Sequence, residues 1–235
     1  MQHKQEKTRF AWKQVSLEKD PYCDVEVQLL NRMQHENIVK LHEVYTSGGI
    51  TDMILELCSG SLRTYICSNF DSCPGGAIYN SPAPWDMAAP LHQILRALKF
   101  LHEHRVAHRD VKPENVLEGK KWKLADFNMA TEFKGYMKSN VGTHPYAAPE
   151  VHQGQYTEKC DLYSTGVVFV ALATGLDYVP DMVLDSEQWR RFGRGSLAFA
   201  KQMTSFEAQR CSAEQALQNP WLVDNMSDGG CCAIS

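Results

Sequence analysis

The 235-residue sequence lacks any apolar run long enough to cross a bilayer; the longest, Gly166 to Ala173, falls far short of the roughly 20 residues that a spanning helix needs. Its N-terminus is polar and lacks the apolar core of a signal peptide. No stretch concentrates lysine and arginine, and the formal net charge is −4, so there is no electrostatic footprint for nucleic acid as a partner. The 8 cysteines (Cys23, Cys58, Cys67, Cys73, Cys160, Cys211, Cys231 and Cys232) show neither CxxC spacing nor a nearby histidine pair. That argues against structural zinc and for reduced thiols in a cytoplasmic protein. Internal repeats and low-complexity blocks are missing as well. Glycine is absent from Met1 to Trp12. What remains is an ordinary globular composition, 43% hydrophobic and 22% charged, in a chain long enough for one large domain or two lobes.

From Thr8 to Val15 a short run carrying Phe10 and Trp12 reads as a strand, and a charged turn then leads into a helical pattern over about Pro21 to Met33. Ile38 to Tyr45 and Ile50 to Leu57 are apolar-rich runs joined by Thr46-Ser47-Gly48-Gly49, which predicts a β-hairpin. Beyond Ser59-Gly60 the pattern turns helical, broken by a Pro-, Gly- and Ser-rich surface loop from Cys73 to Pro84. Leu91, Ile94, Leu95, Leu98 and Leu101 recur at the spacing of a long amphipathic helix. Val116–Glu118 and Trp122–Leu124 flank Gly119-Lys120-Lys121 as a second small hairpin. In the first helix, Leu29, Leu30 and Met33 lie three, four and seven residues after Glu26, so Glu26 points with the apolar face. An inward carboxylate is costly unless it meets a cation or hydrogen-bond donors, and Lys13 is the natural partner; the alternative is that both are ordinary solvated charges.

His108-Arg109-Asp110 is followed by Lys112 and Asn115, then by Asp126-Phe127-Asn128, and then by Gly142-Thr143 with Tyr146 and Ala148-Pro149-Glu150. Asp161-Leu162-Tyr163-Ser164-Thr165-Gly166 and Arg210-Cys211-Ser212-Ala213, with Asn219-Pro220-Trp221-Leu222, complete the set. In this order the segments resemble the eukaryotic protein kinases, with their HRD catalytic loop, DFG and APE motifs and buried central helix. The resemblance covers about Phe10 to Leu222. It implies an α+β, bilobal protein kinase-like fold, with a reduced, small β-rich lobe over residues 1–58, a larger, mainly helical lobe over 59–224 and a flexible tail over 225–235.

The same resemblance implies roles. Asp110 would orient the acceptor hydroxyl or take its proton, Lys112 would steady the moving phosphoryl group, and Asn115 and Asp126 would hold Mg²⁺. Lysine at 112 resembles the serine/threonine branch, so the implied reaction runs from ATP to Ser or Thr hydroxyls of a protein substrate. Phe10-Ala11-Trp12-Lys13 resembles the family's VAIK strand, and Glu26-Val27-Gln28-Leu29-Leu30 its ion-pairing helix. Met53 to Cys58 resembles the strand and hinge that meet adenine, with Leu55 as gatekeeper and backbone groups of Glu56 and Cys58 reading the base. Arg210 would pair with Glu150. Arg109 is the residue that in many relatives pairs with a phosphorylated loop; Ser139, four residues before Thr143, is the matching site, with an unmodified loop serine as the alternative. Glu114 would attract a basic substrate residue, although Ala171 stands where basophilic relatives often place a second acid.

Three features depart from that pattern. No glycine-rich GxGxxG loop precedes Lys13, so two strands and the phosphate cover are expected to be missing. Asn128 replaces the DFG glycine, a substitution that suits a left-handed backbone. The region between Gly175 and Ser196 is short and has no family match. Finally, Cys232-Ala233-Ile234-Ser235 fits a CaaX prenylation signal, with Cys231 as a candidate palmitoyl site, and would place the protein on a membrane surface; an accidental cysteine pair is the alternative. The sequence thus leaves three readings: an active kinase, a pseudokinase acting as scaffold or regulator, and a truncated gene product.

Overall fold

The computed structural model describes residues 9–16, 18, 22–70, 83–175 and 189–228. A small sheet-containing part precedes a larger helical part, giving a mixed α+β architecture. Strand β1 (Phe10–Ser16), helix α1 (Cys23–Arg32), β2 (Leu41–Ser47) and β3 (Ile50–Glu56) form the first. The sheet runs in the order β1-β3-β2, antiparallel throughout, and places Lys13 opposite Met53 and Leu41 opposite Leu55. Gly48 and Gly49 both have positive φ (58° and 77°), as a two-residue hairpin turn that matches strand twist requires.

Several sequence expectations shift. The first strand extends to Ser16, with Thr8 outside the described residues, and α1 begins at Cys23 and closes at Met33, whose N–H bonds the Leu29 carbonyl at 2.7 Å. The second strand begins at Leu41 instead of Ile38. Ile38 makes a parallel bridge to Leu124, and a register shift lies between Leu41 and Glu43. That bridge ties the small part to the large one through a backbone contact.

A short strand, β4 (Gly60–Ser61), precedes α2 (Leu62–Phe70), and Pro84 opens α3 (Pro84–Glu103). The loop expected from Cys73 lies in residues 71–82, outside the described ones. One face of α3 buries Leu91, Ile94, Leu95, Leu98 and Leu101, as their spacing predicts. Next come β5 (Val106–Ala107), a 3-10 turn at Pro113–Asn115, β6 (Val116–Glu118), β7 (Trp122–Leu124), β8 (Thr131–Glu132) and α4 (Pro149–His152). Helix α5 (Cys160–Thr174) is buried all round from Cys160 to Ala173 and ends on Gly175 in the left-handed conformation, φ 72°. Helices α6 (Ser196–Thr204), α7 (Ala213–Leu217) and α8 (Pro220–Asp228) close the fold. At Gly166 of α5 a Cβ would stand 2.7 Å from Thr204 Cγ2 and 2.9 Å from Met203 Cβ, so the missing side chain sets how closely α5 and α6 approach.

Helix α8 continues through Asp228, so residues 225–228 of the expected tail are helical and the rest of it lies outside the described residues. Cys231, Cys232 and residues 176–188 lie outside the described residues. Among the described residues no helix is long and apolar enough to cross a membrane.

Candidate active site

The cleft between the two parts encloses a cavity of about 420 Å³. Ala11, Val39, Leu55 and Leu117 give it apolar walls, Leu57 to Gly60 form a rim, and Lys13, Glu26, Asn115 and Asp126 supply its polar end. Leu55, Glu56 and Cys58 all line it, and the Glu56 N–H is already engaged by the Lys40 carbonyl at 2.9 Å.

Lys13 Nζ lies 2.8 Å from both carboxylate oxygens of Glu26 and 2.7 Å from Asp126 Oδ1. Glu26 is only 1% exposed, so the inward carboxylate read from the helix pattern does find its cation. Burial alone would lower the Lys13 pKa, but the flanking carboxylates outweigh it and hold the ammonium above its ordinary value. Glu26 also accepts the Phe127 N–H at 3.2 Å, which fixes the segment that carries Asp126.

Asp110 is 6% exposed and held from three sides. Thr143 Oγ1 donates to its Oδ1 at 2.6 Å, while Asn115 Nδ2 and Lys112 Nζ reach its Oδ2 at 3.0 and 2.8 Å. Lys112 Nζ also donates to Thr143 Oγ1 at 2.8 Å. Asn115 spends its amide N–H groups on Asp110, so its oxygen is the group it can offer to a ligand, and it lines the cavity together with Asp126. A carboxylate and an amide oxygen are hard donors of the kind Mg²⁺ takes, and the apolar walls suit a flat base, so the residues present fit a magnesium nucleotide.

The backbone carrying Asp110 is bent. Arg109 has φ 66° and Asp126 φ 63°, both in the left-handed region. Asn128 is not among the residues with positive φ; the asparagine is not there to supply a left-handed conformation, and its Oδ1 is buried without a hydrogen-bond partner. Asp161, fully buried, accepts the His108 N–H at 2.9 Å and the Arg109 N–H at 2.7 Å and meets His102 Nε2 at 2.9 Å. The Asp110 N–H points at His108 Nδ1 at 3.3 Å and Nε2 lies 3.0 Å from the Ala125 carbonyl, which assigns His108 as the neutral Nε2–H tautomer. The Ala125 carbonyl, next to Asp126, and the Asp110 N–H are thereby linked through one histidine ring, which also packs edge-on against Phe127 at 4.9 Å.

Arg109 already makes two side-chain hydrogen bonds. Its Nε donates to the Met129 carbonyl at 2.7 Å and its Nη1 to Tyr156 Oη at 3.1 Å, while Tyr156 Oη donates to the Ser139 carbonyl at 2.6 Å. Glu114, read from the sequence as open to a basic substrate, is bonded by Arg63 Nε at 2.8 Å. Arg210 does meet Glu150, with the guanidinium also bonding the Ser205 and Lys159 carbonyls.

Sequence reasoning did not assign parts to His102, Tyr156 or Arg63, nor to Asp161 as the clamp on the catalytic loop. Only Asp161 carried a signal, an acid five residues before the apolar run Gly166–Ala173, where it needs a partner.

Comparison with known proteins agrees with this geometry. The protein kinase domain family pattern matches residues 1–222. The chain is 30% identical over 220 residues to calcium-dependent protein kinase 5 of Plasmodium falciparum, covering 83% of this chain and 37% of that protein. It is 30% identical over 231 residues to calcium/calmodulin-dependent protein kinase type 1 of Macrobrachium nipponense, covering 88% of this chain and 64% of that protein. It thus spans less than two thirds of the length of these relatives. With the ordered motifs converging on one cleft and the family pattern running from its first residue to Leu222, the chain belongs to the protein kinase domain family.

Proposed function

We propose that this chain is an ATP-dependent serine/threonine kinase that moves the γ-phosphoryl group of ATP to a hydroxyl of a protein substrate. The observation that carries the reading is that Lys13, Asp126 and Asn115 line a partly apolar cavity, while Asn115 is bonded to Asp110 and Asp110 to Lys112 just beyond it. Phosphoryl transfer asks for positioning and charge compensation more than covalent help, and these are the groups it asks for. Lys13, held by Glu26, would meet the nucleotide phosphates, and Asn115 and Asp126 would hold Mg²⁺. When bound, the metal neutralises the charge that develops on the phosphate oxygens. Asp110 orients the acceptor: the Thr143 hydroxyl donates to Oδ1 as a substrate hydroxyl would, and the carboxylate can take the proton as the oxygen attacks. Lys112, between Asp110 and Thr143, brings a cation to the side where the phosphoryl group arrives.

A pseudokinase reading draws on the absence of glycine from Met1 to Trp12 and on the place of β1 as an edge strand, with no described turn above it to cradle phosphate. Thermal unfolding with and without Mg-ATP addresses the nucleotide half. A ligand at 100 times its Kd adds about 2.7 kcal/mol, or about 5–10 °C in a chain of this size. The kinase reading expects that rise in the wild type and its loss in Lys13→Met; no rise at millimolar Mg-ATP would overturn it.

A further inference from the structure

An acceptor hydroxyl has to reach Asp110, so the polypeptide that carries it must pass the 3-10 turn at Pro113–Asn115 on one side and the Thr143–Tyr146 segment on the other. Glu114 stands on that turn with its side chain 44% exposed. Helix α2 (Leu62–Phe70), whose first turn faces the same rim, contributes no acid of its own. Glu114 is therefore the carboxylate that this wall offers to residues flanking the acceptor. It is not open: Arg63, in the first turn of α2 and 26% exposed, donates from Nε to Glu114 Oε1 at 2.8 Å. The same guanidinium donates from Nη2 to Tyr146 Oη at 3.1 Å. Tyr146 is 3% exposed and its N–H bonds the Thr143 carbonyl at 2.8 Å, so the cation is pinned to both walls of the acceptor path.

We propose that Arg63 sets acceptor selectivity by neutralising Glu114, so that the cleft takes Ser/Thr segments with neutral flanks and does not select arginine near the acceptor. This rests on the kinase reading above for the location of the acceptor path. An incoming arginine would have to break a charge-assisted bond that is already satisfied, and gains nothing net by replacing one guanidinium with another.

The test uses the full chain and fluorescent peptides that share one serine and differ only in carrying arginine or alanine at the positions two and three residues before it. Anisotropy measures binding, and phosphate transfer is read separately on the same peptides. Wild type is expected to bind the two peptides within about twofold. Arg63→Met is expected to favour the arginine peptide by about tenfold or more, the scale of a charge-assisted hydrogen bond, and Arg63→Met/Glu114→Gln to lose that gain. Arg63→Lys keeps the cation and the wild-type ratio. A tenfold arginine preference in the wild type, an unchanged ratio in Arg63→Met, a gain that survives Glu114→Gln, or no binding by any variant overturns the proposal. Should Arg63→Met not fold, Glu114→Gln alone decides: an unchanged ratio supports the proposal, and a fall in arginine binding overturns it. A shifted binding ratio without phosphate transfer would remove the kinase reading and leave the selectivity in place; transfer without the shift would do the reverse.

Discussion

Replacing Asp161 by asparagine isolates the clamp on the catalytic loop. The side chain keeps its shape and loses one acceptor. With its oxygen turned toward His108 and His102, its amide would face the Arg109 N–H, donor against donor. The variant forgoes one bond to a charged acceptor, about 1.5–3 kcal/mol, and strands buried donors at about 1–3 kcal/mol each before relaxation, so a net loss of about 3–5 kcal/mol is expected. For a chain of this length that lowers Tm by about 6–20 °C. Arg109 sits at φ 66°, a conformation that costs about 1–3 kcal/mol and that the Asp161 bonds offset, so the turn carrying Asp110 should also loosen. The pH dependence provides a second reading. Burial pushes the Asp161 carboxyl up, but the hydrogen bond and charge of His102 outweigh it and hold the group below its ordinary 3.8. A depressed carboxylate contributes stability that is present above its unfolded pKa and lost as pH falls through the folded one. The wild type should therefore lose this contribution below about pH 4, and Asp161→Asn should lack that component of the acid limb. Urea unfolding across that range measures both. A loss under about 1 kcal/mol with an unchanged acid slope would refute the clamp.

Three further outcomes follow from the packing. Arg210→Ala strands the Glu150 carboxylate and empties a site where the guanidinium is almost wholly buried, so urea unfolding should show a loss of about 3–5 kcal/mol. Gly166→Ala forces a methyl against Met203 and Thr204 and should cost about 1–3 kcal/mol in the same assay. Tyr156→Phe keeps the ring but removes the bridge from Arg109 to Ser139; amide exchange over Met137–Ser139 should speed up while global stability falls by only about 1–2 kcal/mol.

How much of this was legible in the sequence varied with the range of the interaction. The hairpin was legible because Gly48-Gly49 supplies the positive φ that a two-residue turn demands, and the Lys13–Glu26 pair because an acid on an apolar helix face must be answered. The resemblance to the kinases brought Asp110, Lys112, Asn115 and Asp126 into view; Asn115 and Asp126 line the cavity, and Asp110 and Lys112 are bonded in series to Asn115. What stayed hidden depends on side chains far apart in the chain. His102 and Asp161 are 59 residues apart, Arg109 and Tyr156 are 47 apart, and Arg63 and Glu114 are 51 apart. No local spacing encodes such pairs. Asn128 misled for another reason, since a residue that tolerates left-handed backbone does not show that the position uses it.

Whether this cleft moves phosphate decides between an active kinase and a scaffold. The direct measurement is transfer of label from γ-labelled Mg-ATP to a generic protein substrate, with phosphoamino-acid analysis of the product and nucleotide binding followed in parallel. The wild type should label Ser or Thr, and Asp110→Asn should bind nucleotide yet lose transfer by about 100-fold or more. No transfer by the wild type, or equal transfer by Asp110→Asn, would contradict the account.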